Sequence, residues 1–75
     1  MKVSKQELAV LRYFCRYPHS TAQAAADALG IDPAEMVQSE YALLAQDVIR
    51  VSAVDQSLRY YEATETGHRI ARIAL

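Results

Sequence analysis

Cys15 and His19 stand four residues apart, a spacing that lets two ligands share a metal on one face of a continuous helix. Pro18 interrupts that helix and no third or fourth ligand clusters nearby, so a buried thiol and a surface imidazole are expected and a metal is not. The five tyrosines, Tyr13, Tyr17, Tyr41, Tyr60 and Tyr61, offer aromatic faces on which unpaired bases could stack. At helical and strand spacing most of them are expected at the core or its edge with a wet hydroxyl, which leaves Tyr60 as the outward-facing candidate. His68 is expected to be exposed. The sequence assembles no catalytic centre. It has no Gly-rich phosphate loop, no nucleophile–base pair with an orienting group and no carboxylate pair in an evident cleft. Neither an enzyme nor a bound cofactor is expected.

Charge is the other source of chemistry. The 75 residues carry a net charge of −1, but it is unevenly divided. Residues 1–17 hold +3, residues 18–47 hold −5 and residues 48–75 hold +1. The stretch TAQAAADALGIDPAEMVQSEYALLAQD carries Asp27, Asp32, Glu35, Glu40 and Asp47 with no lysine or arginine. Such a face repels phosphate and suits either plain solvation or a basic partner.

The elements that must position these groups follow from caps and periodicity. A chain this short supports one domain with a small core. Ser4 and Glu7 form a capping box for a first helix over about 4–17, whose stripe of Leu8, Leu11 and Cys15 is widened by Val10, Phe14 and Tyr17. Ser20 or Thr21 caps a second helix over about 21–29 with the stripe Ala22, Ala25, Ala26 and Leu29, and Gly30 supplies a left-handed C-cap. Asp32 caps a third helix over about 32–47, with Pro33 in its first turn and Glu35 completing a second box; Met36, Val37, Leu43 and Leu44 form its apolar side. Residues 48–63 read as a hairpin around Asp55–Ser57, placing Val54 opposite Leu58, Ser52 opposite Tyr60 and Arg50 opposite Glu62. Ile49, Val51, Ala53, Tyr61 and Ala63 then share the core face. Thr64 caps a closing helix over about 65–75, with Ile70, Ile73 and Ala74 on one side and Arg69 and Arg72 on another.

Three helices, a hairpin and a closing helix make a single winged helix-turn-helix domain over residues 1–75, mostly α with a β-hairpin wing. The sequence resembles bacterial regulators of the MarR-like and related winged-helix superfamily. Ala26 and Gly30 stand at the helix-turn-helix spacing, with Leu29, Ile31 and Met36 around the turn. The run DVIRV matches the family's exit from the third helix, and YEATETG matches its wing exit. Asp47 stands where the family has a glycine, and Glu40 falls near a position the family keeps apolar.

The resemblance implies double-stranded DNA as a partner, with the third helix in the major groove and the wing against the backbone. The third helix would present Ala34, Glu35, Gln38 and Tyr41, with Val37 or Ala42 at the margin. Thr21 at the start of the second helix, Arg50 and Arg59 on the wing, and Tyr60 complete the candidate surface. Glu62, opposite Arg50 on this register, competes with phosphate for its guanidinium, which leaves Arg59 as the better phosphate ligand. The remaining bases fall on the first and last helices, behind the reading helix. The alternative is a protein-binding winged helix whose acidic third helix docks a basic partner. A homodimer is expected through Ile70, Ile73, Ala74 and Leu75, which exceed what a short terminal helix needs for its own packing. No apolar run approaches the roughly 20 residues of a membrane span. The first residues lack a signal-peptide pattern and the lone cysteine needs no oxidising compartment, so a cytoplasmic location is expected.

Overall fold

The first helix begins where the sequence offers its capping box. In the computed structural model, which describes residues 3–73, the Ser4 hydroxyl accepts from the Glu7 N–H at 3.1 Å and the Glu7 carboxylate accepts from the Ser4 N–H at 3.2 Å. Helix α1 runs Lys5–Arg16 and is closed by Tyr17, ahead of Pro18. It buries Val10, Leu11 and Phe14. The expected stripe is therefore rotated: Leu8 and Cys15 flank it half-buried, and Tyr17 lies exposed. Three helices and β3 all pack on α1, so the flank they share becomes its centre.

A strand the sequence reading did not anticipate follows. Strand β1 is only Ser20–Thr21 and pairs antiparallel with β3 through Ser20–Tyr61 and Thr21–Tyr60. Two residues leave no alternation to read. Thr21 also caps helix α2 (Ala22–Leu29), its hydroxyl accepting from the Ala24 N–H at 3.1 Å. Gly30 ends α2 in the left-handed region, at φ 67° and ψ 35°. Ala25 and Ala26 are buried and let α1 and α3 approach closely, whereas Leu29, expected in the stripe, is exposed at the helix end.

Helix α3 (Pro33–Ala45) is capped by Asp32, whose carboxylate accepts from the Ala34 N–H at 3.1 Å. The second capping box is not the geometry adopted: the contact is made two residues on, and Glu35 stays exposed. Met36, Ser39 and Leu43 face inward. Val37, expected inward, is 47% exposed because it lies at the edge of the stripe, and Leu44 is half-buried. The hydroxyl of Ser39 is satisfied by Gln6 Nε2 at 3.1 Å, which ties α3 to α1. The helix ends before Asp47, which takes a left-handed φ of 58°. Aspartate tolerates that region better than most residues, so it can serve where the resemblance has a glycine.

Strands β2 (Ile49–Asp55) and β3 (Leu58–Ala63) form the wing, in a sheet of order β1-β3-β2. The turn is Gln56–Ser57, not three residues from Asp55; both take positive φ, 50° and 73°, as a type I′ hairpin turn requires. Asp55 therefore pairs with Leu58, Val54 with Arg59 and Ala53 with Tyr60. A bulge between Val51 and Ala53 absorbs the one-residue offset, so Arg50 still pairs with Glu62 and Ile49 with Ala63. The expected core face is buried only at the root, by Ile49, Tyr61 and Ala63. Val51 is exposed and Ala53 half-buried, because the strand leaves the body and the bulge carries Ala53 opposite Tyr60.

The Thr64 hydroxyl accepts from the Gly67 N–H at 3.1 Å and donates to the Asp47 carbonyl at 2.8 Å, capping helix α4 (Glu65–Ile73) while fastening it to the end of α3. At Gly67 the helix crosses the root of β2 so closely that a Cβ would lie 2.0 Å from the Val48 carbonyl oxygen. The core is one cluster, with Phe14 and Tyr61 in ring contact at 5.6 Å between α1 and the sheet. Among the described residues no helix is long and apolar enough to cross a membrane.

Candidate nucleic-acid interface

The inward residues of α3, Met36, Ser39 and Leu43, follow i, i+3, i+7 spacing. Ala34, Gln38 and Tyr41 follow i, i+4, i+7 spacing and are exposed on the opposite side, with Glu35 beside them. Tyr41 is 60% exposed. The outward surface of α3 thus carries one amide, one carboxylate, one methyl and one phenol, and no cation.

Cations come from the wing, where their states differ. The Arg50 guanidinium is 2.6 Å from Glu62 and donates to it through Nε. It is committed within its own sheet, as the register anticipated. Arg59 is exposed, opposite Val54, and has no ion pair among the described residues. It shares a strand face with Tyr61, two residues on, and its charge acts on the Tyr61 hydroxyl. Arg59 therefore projects from the side of the wing nearer α3.

Tyr61 joins the two parts. Its ring is buried and its hydroxyl donates to the Glu40 carboxylate. Burial first, then the Glu40 hydrogen bond and charge, push the phenol up to about 12. An acid at a position where the resemblance has an apolar residue is thereby explained: a buried phenol on β3 needs an acceptor, and α3 provides it.

Two other expected contact residues are engaged elsewhere. The Thr21 hydroxyl is occupied in capping α2. Tyr60 is half-buried, and one face of its ring is stacked on His19, with centroids 4.7 Å apart and planes 11° from parallel. His19 is exposed, as expected of a surface imidazole, but sequence reasoning missed its contacts with the wing. It takes a φ of 63°, donates its N–H to the Tyr61 carbonyl at 2.9 Å and sets its ring Nδ1 3.2 Å from the Ser52 hydroxyl. Only the unanticipated β1 pairing brings it to the wing, and no spacing signal marks it. Its ring is thus engaged by the sheet, while Cys15 is half-buried and its thiol is pushed up by burial. Of the expected dimer residues, Ile70 packs half-buried against the chain's own core, Ile73 is 77% exposed, and Ala74 and Leu75 lie outside the described residues.

No family model matches the chain, and no curated protein matches it by sequence. Solved structures do. FabT from Streptococcus pneumoniae, solved in complex with DNA, aligns with a TM-score of 0.87 at 17% identity, over 97% of this chain and 52% of that one. ZitR from Lactococcus lactis, a zinc-responsive MarR family member, aligns at 0.85 and 23% identity over 96% of this chain and 51% of its own. The adhesin competence repressor AdcR from Streptococcus pyogenes aligns at 0.84 and 24% identity over 96% and 55%. These neighbours are MarR-family winged-helix transcriptional regulators, and the fold described above is theirs. The chain spans about half the length of these proteins.

Proposed function

We propose that the chain is a DNA-binding winged-helix unit of a cytoplasmic transcriptional regulator, acting as a homodimer by binding and not by catalysis. The observation that carries this reading is the exposed stripe Ala34, Gln38 and Tyr41 on α3, presented beside a wing whose Arg59 is unpaired among the described residues. Gln38 has the paired donor and acceptor that match adenine, Glu35 can accept from the cytosine amino group, and Ala34 can meet a thymine methyl. Arg59 supplies the phosphate contact that holds the helix in register. The dimer reading is supported by Ile73, an isoleucine that α4 leaves largely in water; analytical ultracentrifugation giving a monomer at high micromolar concentration contradicts it.

With Arg59 as the main phosphate ligand, a dimer neutralises about two phosphates, and log K falls with log salt at a slope of about −2. Affinity for mixed-sequence duplex is then weaker than the usual Kd of about 10⁻⁴–10⁻⁶ M near physiological salt. Selection from a random duplex library at low salt tests the reading. Enrichment of a short two-fold sequence supports it, and tight, steeply salt-dependent binding to every duplex contradicts it.

A second reading is favoured by the five acids and absent bases of residues 18–47: α3 docks a basic protein surface. Glu35 is exposed and makes no cap, so Glu35→Lys leaves the fold intact. Under the first reading it raises affinity for mixed-sequence duplex while removing any cytosine contact, and under the second it abolishes a partner interaction.

A further inference from the structure

Between α2 and α3 the surface folds into a groove of about 200 Å³. Its floor is apolar: Ala26 and Met36 are buried there, and Ala22 and Ile31 are half-buried. Asp27 from α2 and Glu40 from α3 line it as well. Neither carboxylate enters an ion pair among the described residues, where the pairs are Arg50–Glu62 and Arg69–Glu65. Gln23 Nε2 meets Asp27 only at a long 3.4 Å, and the Tyr61 hydroxyl holds Glu40 in place without cancelling its charge. Residues 18–47 contain no lysine or arginine, and the cation acting near Glu40 is Arg59 of the wing, whose charge reaches the Tyr61 hydroxyl but which forms no ion pair with Glu40 among the described residues.

An anion is repelled from this setting by the surrounding charge. A purely apolar ligand would satisfy the floor and leave the two carboxylates to be desolvated for nothing. The volume lies below the roughly 300–1,000 Å³ of sites that take drug-sized ligands, so the occupant is compact. We propose that the groove binds a small organic cation, an aryl or alkyl amine whose apolar body lies on Met36 and Ala26 and whose ammonium is shared by Asp27 and Glu40. Its lining includes Pro33 and Glu40, on the flank of α3 away from the Ala34–Gln38–Tyr41 stripe. Val37, at the margin of that stripe, lines the groove too, so the site borders the proposed DNA face, but the inference does not depend on the DNA reading and is measured without DNA.

The test is a titration of the ¹⁵N-labelled full chain with 2-phenylethylammonium, its neutral analogue 2-phenylethanol and its anionic analogue 3-phenylpropanoate. For a ligand of this size a Kd of about 0.1–1 mM is expected. The cation should give saturable amide shifts confined to residues 22–40, and bind about tenfold or more tightly than either analogue. Asp27→Asn, at an exposed position, should weaken the cation by about fivefold or more and leave the alcohol unchanged. Glu40→Gln, which keeps an acceptor for Tyr61, should do the same. If Glu40→Gln proves unfolded by circular dichroism, the Asp27→Asn result decides. Equal binding of the three compounds, saturable shifts outside residues 22–40, no saturable shift from the cation, or an Asp27→Asn variant that binds the cation unchanged would each overturn the proposal.

Discussion

The α2–α3 pair and the wing meet at the Tyr61–Glu40 contact and otherwise follow opposite rules. The helix pair is defined by local signals: a threonine cap, a left-handed glycine, an aspartate cap and a first-turn proline fix its shape, and its surface is acidic. The wing is defined by distant ones. Its root is buried against α1 and α4, its bulge and turn decide which residues face which way, and its tip carries Val54, Leu58 and Arg59 in water. The exposed α3 stripe thus belongs to a region without a cation, and the exposed Arg59 to a wing whose two arginines are balanced by Asp55 and Glu62. In a DNA complex built this way, selectivity and backbone affinity are separable by mutation.

The largest effect is expected where the wing root and α4 touch. Gly67→Ala drives a Cβ into the Val48 carbonyl, a backbone atom that cannot step aside. A loss of about 3 kcal/mol or more is expected, read by urea denaturation. A variant as stable as the parent would mean that α4 does not cross β2 so closely.

Tyr61→Phe breaks the link between the two regions. At neutral pH it removes the hydrogen bond to Glu40, costing about 1–3 kcal/mol. The parent should also show a pH dependence that the variant lacks. The folded phenol titrates at about 12, above its ordinary value of 10. The stability linked to its proton is therefore full below pH 10 and lost as pH rises towards 12, about 2–3 kcal/mol in all. The stability difference between parent and variant should shrink across that window; a constant difference would place the Tyr61 hydroxyl in water.

A smaller gain is expected at the wing tip. Gln56 and Ser57 hold positive φ without the asparagine or glycine that such turns favour. Replacing them together, Gln56→Asn with Ser57→Gly, should raise stability by about 1 kcal/mol with no effect on the α2–α3 surface, seen as a higher melting temperature with unchanged α3 amide shifts.

What the sequence disclosed divides along the same line. Caps announce themselves by residue type within four positions, so the starts of α1, α2 and α3 and the Gly30 stop are legible. The Arg50–Glu62 pair was legible too, because a shorter turn and a bulge offset each other. The turn itself was not, since Gln56–Ser57 carries no glycine signal. Nor was β1, whose two residues exist as a strand only because β3 lies beside them. Stripe centres shifted for a related reason: α1 is packed by three helices and β3, and no periodicity says which flank the crowd will choose. In the candidate site, the outward set Ala34, Glu35, Gln38 and Tyr41 follows from helical spacing alone. The engagement of Tyr60 by His19 depends on the unforeseen strand, and the use of Glu40 by Tyr61 joins residues 21 positions apart.

The separation of selectivity from affinity is tested most directly by measuring Gln38→Ala and Arg59→Ala against a panel holding the selected duplex, its single-base variants and a mixed-sequence control. Gln38→Ala should weaken the selected duplex by about 1–3 kcal/mol and leave the others unchanged. Arg59→Ala should weaken every duplex alike and flatten the salt slope by about one per protomer. If Gln38→Ala instead lowers all affinities equally or alters none, α3 is not the reading element and the account fails.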